Sequence, residues 1–311
     1  MMRELIVGTR GSKLALIQTN WVIDELRKAG VTNPIKIKEI ETKGDKKLNV
    51  SLPQLGGGGV FLAEIEHELV EEEIDVAVHS LKDIPVELPE GLVIASIPLR
   101  EDHRDVLLQT EGKTLSELPK DAIVGTSSVR RAAQLLAQRP DIQTKWIRGP
   151  IDSRIDQMVA GDYDAIVLAA AGLNRLNIGQ DYMTEHLDAN TFVPAMGQGA
   201  LAIESRETDT EVRDILARIN DEATEKTVTT EREFLKCFEE GEQAPIGGYA
   251  SMVGDMIHLH GMVISSDGQT IMQHEATGSD PFALAQEVAD NLIDQGALEI
   301  IAAVNEELQG S

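Results

Sequence analysis

The sequence has 311 residues, which is too long for one ordinary domain and suits two or three. Apolar residues make up 42% of it and aromatic residues only 3%, so the cores must consist mostly of Ala, Leu, Ile and Val. The formal net charge is −25, from 28 basic and 53 acidic residues. Because such a surface repels nucleic acids and anionic membranes, we expect neither as a partner.

Targeting and cross-linking signals are missing from the sequence. The N-terminal residues contain no long apolar region of the secretory type, and no stretch approaches the ~20 apolar residues that span a bilayer. A single cysteine, Cys237, excludes an internal disulfide framework. We therefore expect a cytoplasmic protein.

Short apolar runs alternate with helical patterns through the first two thirds of the chain. Residues 5–8 read as a buried strand, and Ser12 is a plausible N-cap for a helix with apolar residues from Leu14 to Leu26. Further strands are predicted at 35–40, 74–78, 92–97, 123–125, 144–147 and 165–169, and further helices at 61–73, 129–139 and 151–160. This rhythm indicates mostly parallel sheets with helices on both faces.

The pattern changes after about residue 225. A long helix is followed by strands at 257–263 and 270–274, with a good turn at 265–268 between them. Helices at 281–295 and 297–307 close the chain. This part is predicted to be a small α+β domain, and no internal repeat is evident.

The loops that follow the strands are the candidate site, because ligands of open α/β sheets bind beyond the carboxyl ends of the strands. Residues 125–131, Gly-Thr-Ser-Ser-Val-Arg-Arg, leave a strand and enter a helix. The helix N-terminus, the hydroxyls of Thr126, Ser127 and Ser128, and two arginines suit a carboxylate or a phosphate. An N-cap serine followed by two surface arginines, Arg130 and Arg131, explains the same residues equally well.

More cations follow other strands of the predicted sheets. These are Arg10, Lys82, Arg148 and Arg154. In a chain of charge −25, this recurrence favours an anion-binding cleft between two α/β domains. Asp83, beside Lys82, is either a general acid/base and cation stabiliser inside that cleft or a turn residue before Ile84-Pro85.

Other site types find little support. The histidines form no HExxH pattern and there is no CxxC pair, so no metal site is expected. The glycine run 56–59 does not match a phosphate-binding motif and is better explained by a flexible loop.

The strand-end motifs, in their order along the chain, resemble those of the porphobilinogen deaminase (hydroxymethylbilane synthase) family. The matching stretches are residues 8–12, 42–45, 75–85, 125–131, 163–172, 193–204, 230–235 and 245–247. They cover nearly the whole chain.

The resemblance implies an α/β fold with two periplasmic-binding-protein-like lobes, with mixed and mostly parallel sheets, and a small C-terminal α+β domain. Domain 1 is expected at residues 1–98 with 195–218, because the chain near 195–204 crosses back to complete it. Domain 2 is expected at 99–194 and domain 3, which carries the cofactor-anchor loop, at 219–311. A monomer is expected.

The resemblance also implies a reaction. Family members join four porphobilinogen molecules head to tail, with release of ammonia, into hydroxymethylbilane for tetrapyrrole (haem) biosynthesis. By motif position Asp83 is the catalytic carboxylate, which stabilises the cationic azafulvene. The residues expected to hold the carboxylates of the substrate and the dipyrromethane cofactor are Arg10, Ser12, Lys82, Thr126, Ser127, Ser128, Arg130, Arg131, Arg148 and Arg154.

The sequence departs from the family at the cofactor anchor. The family attaches dipyrromethane through a thioether to a cysteine, and Glu242 stands at that position. A carboxylate is a poorer nucleophile than a thiol and a better leaving group, so a covalent link is expected to be lost. Cys237 lies five residues away, about 7.5 Å along a helix axis, and is expected to be a packed core residue.

Four other positions depart from the family. Gln54 and Gly58 stand where lysines are expected, and Pro150 stands in place of an asparagine. Ser205 replaces a common cysteine without expected effect. Two functions remain open: a porphobilinogen deaminase impaired at its anchor, or a non-catalytic anion- or tetrapyrrole-binding homologue that keeps the cleft.

Overall fold

The computed structural model describes residues 2–42, 62–238 and 244–310. By contacts the chain divides into two units. The first unit is Met1–Glu101 with Gly199–Lys226, and the second unit is Asp102–Gln198 with Thr227–Ser311. The domain boundaries given above, which separate three domains, stay a prediction.

Strands and helices are numbered here along the described chain. The strands are β1 (Leu5–Arg10), β2 (Ile35–Ile40), β3 (Val76–Ser80), β4 (Leu92–Ser96), β5 (Asp105–Leu108), β6 (Ile123–Gly125), β7 (Gln143–Lys145), β8 (Ala165–Ala169), β9 (Met183–His186), β10 (Leu201–Arg206), β11 (Ile246–Val253), β12 (Met256–Ile264) and β13 (Ile271–Gly278). The α-helices are α1 (Lys13–Lys28), α2 (Ala63–Val70), α3 (Val129–Gln138), α4 (Ile151–Val159), α5 (Ala170–Leu176), α6 (Thr210–Leu216), α7 (Glu222–Lys236), α8 (Pro281–Asp294) and α9 (Ala297–Gly310).

The first unit is built on a five-stranded sheet in the order β2-β1-β3-β10-β4. Strand β1 is parallel to β2 and β3, whereas β10 runs antiparallel to β3 and β4. One face packs against α1 and α6 through a core that includes Leu5, Val22, Leu26 and Leu216. The chain therefore returns at β10 to complete the first sheet, as the resemblance predicted for residues 195–204.

The second unit repeats this arrangement and adds a smaller layer. Its five-stranded sheet has the order β7-β6-β8-β5-β9, again with two parallel and two antiparallel pairings. Its C-terminal part is an antiparallel sheet, β11-β12-β13. The apolar residues of α8 and α9, such as Val288 and Ile301, pack with Leu259 and Phe234 in one core.

The predicted fold class is confirmed: two mixed-sheet α/β lobes and a small C-terminal α+β part. Three details differ from the expectations. The sheets are half parallel rather than mostly parallel, because β10 and β5 enter them in the opposite direction. Strands β5, β9, β10 and β11 were not predicted as strands, and the helix expected at 61–73 covers only Ala63–Val70. None of the described helices is long and apolar enough to cross a membrane.

Gly125 ends β6 where no side chain fits. A Cβ atom there would lie 2.9 Å from side-chain atoms of both Ile166 and Tyr163, and 3.2 Å from Ile147. These neighbours belong to a packed core and cannot all move without opening a gap.

We predict that Gly125→Ala destabilises the second unit by about 1–3 kcal/mol through overpacking. Urea unfolding followed by circular dichroism measures the change. Gly11→Ala is the control, because its added Cβ would meet only the flexible carboxylate of Glu39, at 3.1 Å. Equal stability of both variants would contradict the packing argument.

Candidate functional site

The first unit carries a pocket at the carboxyl ends of β1 and β3. Its lining includes three of the predicted site residues, Arg10, Ser12 and Asp83, together with His79 and Ser80. Both strands are parallel and adjacent, so their ends bring these side chains to one edge of the sheet.

The segment that carries Asp83 is a short turn of 3₁₀-helix, Leu81–Asp83, directly after β3. The turn is closed by the backbone, since the Ile84 N–H donates to the Leu81 carbonyl at 3.1 Å. Leu81 is buried and anchors the turn, whereas Asp83 is exposed at the pocket. The turn therefore does not depend on the Asp83 carboxylate, which leaves it available to a ligand.

Serine hydroxyls organise the rim of this pocket. Ser12 caps α1, as predicted, by accepting a hydrogen bond from the Ala15 N–H at 3.3 Å. Ser80 accepts one from Gln18 Nε2 at 3.0 Å. A hydroxyl that accepts in this way keeps its own proton to donate, so both serines can still bind an anion.

The second unit has an equivalent strand-end turn after β6. Ser128 caps α3 by accepting from the Arg131 N–H at 3.3 Å, and Thr126 Oγ1 accepts from the Ser128 N–H at 3.1 Å. The Thr126 N–H donates to the Lys145 carbonyl at 3.0 Å, which ties the turn to the end of β7. Ser127 is exposed in the same turn.

The two arginines that follow are buried, so the alternative that placed them on the surface was wrong. Arg130 and Arg131 are 5% and 8% exposed, and both bind Asp105, which is fully buried. Arg130 Nη2 donates to Asp105 Oδ2 at 2.8 Å, and Arg131 Nη2 donates to Asp105 Oδ1 at 2.7 Å. The sequence pattern did not identify Asp105, because a carboxylate 25 residues before Arg130 has no periodic relation to it.

The charges of this cluster are strongly coupled. Burial opposes ionisation of Asp105, but Arg130 and Arg131 outweigh it and hold the Asp105 pKa well below its usual range. Burial lowers the pKa of Arg130, although Asp105 acts against this. Gln198 completes the cluster by donating to Asp105 Oδ1 at 2.9 Å and to the His103 carbonyl at 2.8 Å.

Arg154 lies in a different electrostatic setting from the paired arginines. Its N–H and Nε are bound to the carbonyls of Pro150, at 3.1 Å, and Gly149, at 2.8 Å. Burial, and then the positive charges of Arg131 and Arg148, lower the Arg154 pKa to about 10. The positive charges of Arg131 and Arg148 thus act on Arg154, and an anion bound there would relieve this repulsion.

The predicted site residues divide between the two units. Arg10, Ser12 and Asp83 share the pocket of the first unit, where Lys82 is exposed beside Asp83. In the second unit the charges of Arg131 and Arg148 act on Arg154. Arg130 instead donates hydrogen bonds to Asp105 and to the Val193 carbonyl. Glu242, Gln54 and Gly58 lie outside the described residues. The cleft between two domains stays a prediction.

Cys237 is partly buried at the end of α7 and packs against the C-terminal core. Its Sγ donates to the Glu233 carbonyl at 3.2 Å. Burial, and then Asp290 and Glu233, raise the pKa of the thiol, so little of it is thiolate at neutral pH. Among the residues in the described ranges, no group of three or more His, Cys, Asp or Glu is arranged to hold a metal ion.

Comparison with protein families gives two matches. Residues 5–214 match the model described as porphobilinogen deaminase, dipyromethane cofactor binding domain. Residues 225–294 match the model described as porphobilinogen deaminase, C-terminal domain.

Curated relatives carry the same name. A porphobilinogen deaminase of Oceanobacillus iheyensis is 53% identical over 307 residues, 99% of either chain. One of Bacillus cereus is 52% identical over 309 residues, which cover 99% of this chain and 100% of the relative.

Among solved structures the similarity is weaker. A YaeC-family lipoprotein of Enterococcus faecalis is 14% identical with a TM-score of 0.42, covering 77% of this chain and 96% of its own. The periplasmic VFT2 domain of BvgS from Bordetella pertussis is 16% identical with a TM-score of 0.40, covering 70% and 86%.

We predict that Asp105→Asn destabilises the second unit by about 3–5 kcal/mol, because it leaves two buried guanidiniums without a counter-charge. Urea unfolding at neutral pH measures the loss. Asp141→Asn is the control: it breaks the more exposed pair with Arg139, at 2.7 Å, and is expected to change stability much less. Similar losses in the two variants would mean that Asp105 is not the support of this cluster.

Proposed function

Because this chain belongs to the porphobilinogen deaminase family, we propose that it binds porphobilinogen and couples its units into a linear tetrapyrrole with release of ammonia. The observation that carries the proposal is the Arg131, Arg148 and Arg154 cluster in a chain of net charge −25. Arg131 is paired with Asp105, yet its charge and that of Arg148 still lower the Arg154 pKa, so an anion bound at Arg154 is favoured. The substrate is a dicarboxylate.

Binding is assigned to the strand-end groups of both units. The guanidiniums of Arg148 and Arg154 hold side-chain carboxylates, and Arg131 adds positive charge while Asp105 fixes its position. The hydroxyls of Thr126 and Ser128 donate further hydrogen bonds. In the first unit Arg10, Ser12 and Lys82 serve the same purpose beside Asp83.

The chemical role of Asp83 follows from charge. When the C–N bond of the aminomethyl group breaks, ammonia takes the electron pair and the remaining ring is a cation. A carboxylate at the pocket wall stabilises that cation, and Arg10 lines the same pocket. The arginine cluster suits the carboxylates of dipyrromethane, and this cofactor, when bound, supplies the primer on which the product is built.

The proposal also covers the partners, the compartment and the oligomeric state of the protein. A surface with a net charge of −25 does not favour nucleic acid or anionic lipid as a partner. A single cysteine in 311 residues fits a reducing compartment, the cytoplasm. The monomeric state is a prediction that light scattering tests.

We predict that Arg154→Ala weakens porphobilinogen binding by about 10–100-fold, since a charge-assisted hydrogen bond contributes about 1.5–3 kcal/mol. Titration calorimetry measures the dissociation constant. Lys120→Ala removes the same charge from an exposed position of the second unit and should change affinity less than about twofold. Equal losses in both variants would point to non-specific attraction instead of a site.

The anchor position sets a second experiment. We predict that the intact mass of the purified protein contains no covalent dipyrromethane, and that Glu242→Cys adds this mass and raises turnover of porphobilinogen. Glu242→Ala, which has no thiol, is the control and should stay unloaded. Asp83→Asn in the Glu242→Cys background should keep the added mass and lose turnover, which separates loading from catalysis.

Each result of the anchor experiment selects one reading. A loaded but inactive Glu242→Cys protein favours the non-catalytic tetrapyrrole-binding homologue. An unloaded Glu242→Cys protein means that Gln54, Gly58 or Pro150 also disables the site. Dipyrromethane mass on the unchanged chain contradicts the argument, and Cys237→Ser then tests the remaining thiol.

A further inference from the structure

A buried polar cluster lies directly behind the Asp83 pocket of the first unit. His79 lines the pocket, and its Nε2 lies 3.1 Å from Oε2 of Glu204, which is fully buried. Glu66 is the third member: its Oε1 and the Oε1 of Glu204 are buried and find no hydrogen-bond partner among the described residues. The predicted site did not include any of the three residues.

The sheet register makes room for this cluster. Strands β3 and β10 pair antiparallel, with Ala202 opposite His79 and Ala77 opposite Glu204. Because both partners are alanine, the two long polar side chains can meet diagonally on one face. Helix α2 covers that face through Ile65 and Leu69, and Glu66 on the same helix interacts electrostatically with both Glu204 and His79.

The surroundings of the cluster are apolar. Ile65 and Leu69 of α2 pack with Ile40, Ile74 and Ala77 in one core. His79 and Glu204, which are buried beside this layer, lose hydration that their mutual attraction does not fully return. Glu66 is partly exposed and adds a second negative charge, so apolar residues of similar size would be at least as stable. The cluster therefore has a stability cost, which a function of the adjoining pocket explains.

We propose that the Glu66–His79–Glu204 cluster stores one exchangeable proton for the reaction at Asp83, with His79 as the member that passes it to and from the pocket. This inference rests on the proposed function and assigns positioning residues to it. Glu66 is the member that takes up and releases the proton, and Glu204 holds the imidazole in place.

The proton balance of one coupling closes through this cluster. The C–N bond of the substrate ammonium breaks and ammonia leaves with the electron pair, after which the cluster gives it a proton, so that it departs as ammonium. The new C–C bond forms at the free α-carbon of the acceptor ring. The C–H bond there then breaks, its electrons return to the ring, and its proton refills the cluster. No oxidant or reductant is needed.

The electrostatics agree with Glu66 as the carrier. Burial raises the pKa of Glu66, Glu204 on β10 raises it further, and His79 on β3 acts in the opposite direction. Arg10 and Asp83 face His79 from the pocket side. Because the folded-state pKa of Glu66 is raised, unfolding releases its proton above about pH 4.3, and the stability of the protein falls as pH rises from there through the folded-state value.

The test compares Glu66→Gln with Glu68→Gln on the same helix. Glu68 is paired with Lys38 at 3.0 Å, outside the cluster, and its removal also deletes one negative charge. We expect Glu66→Gln to raise the thermal midpoint by about 2–4 °C near pH 7, with a gain that disappears towards pH 4. Glu68→Gln should give no gain.

The functional readout is the number of protons taken up when porphobilinogen binds, measured by calorimetry in two buffers with different ionisation enthalpies. The carboxylates of the ligand favour the protonated cluster, so the unchanged protein and Glu68→Gln should take up a fraction of a proton that Glu66→Gln does not. The conservative change His79→Gln should also reduce this uptake.

Three outcomes would overturn the proposed proton store. Equal proton uptake in Glu66→Gln and the unchanged protein overturns the proton store and leaves the proposed function standing. A Glu66→Gln protein that is less stable at pH 7, or that fails to fold, overturns it as well, because Glu66 would then be structural. No binding of porphobilinogen by any of the proteins overturns both the store and the proposed function.

Discussion

The second unit depends on one buried carboxylate. Asp105 begins β5 and receives guanidinium hydrogen bonds from Arg130 and Arg131, in the first turn of α3. A helix N-terminus already carries positive partial charge, so two buried arginines there would be strongly unfavourable without this counter-charge. Arg130 also reaches the Val193 carbonyl at 2.6 Å, and Arg131 the Val167 carbonyl at 3.2 Å. Asp105 and the two arginines that it binds thus link α3 to β5, to β8 and to the segment at Val193.

The motif at residues 125–131 therefore has a structural role as well as the binding role that the sequence suggested. Arg130 has a structural role. Arg131 binds Asp105 in the buried cluster, and its charge also lowers the Arg154 pKa. The family motif therefore contains a support and a binding surface side by side. Other motifs are supports as well: Glu231 accepts from the Gly197 N–H at 2.6 Å and from the Ala250 N–H at 2.8 Å.

Local signals predicted the fold well where they were complete. The strands at Ile35–Ile40, Ile123–Gly125 and Ala165–Ala169 have the predicted bounds, because each is a short apolar or alternating run between clear breaks. The N-cap role of Ser12 needed only the residues around it. Strand β5 begins with a charged residue and was missed, because a buried aspartate does not look like a strand position.

Partners that are distant in sequence could not be predicted. Asp105 lies 25 residues before Arg130, and Glu204 lies 125 residues after His79. Neither spacing follows from helix or strand periodicity, since the sheet order alone brings these residues together. Local patterns did not reveal the equivalence of the two five-stranded sheets, which only the family resemblance predicted, because it lies in their pairing rather than in repeated residues.

In each unit a cluster of charged side chains lowers the stability of the ligand-free protein. In the second unit the charges of Arg131 and Arg148 act on Arg154, and in the first unit the partly exposed Glu66 interacts with the buried Glu204 and His79. Each cluster retains like charges that apolar residues could replace with a gain in stability. A proton can relieve the acidic cluster at once, whereas a guanidinium does not give up its proton near neutral pH. A bound anion can relieve the repulsion that remains at Arg154 after Asp105 has paired with Arg131, and for this reason the arginines indicate a ligand more directly than the acids do.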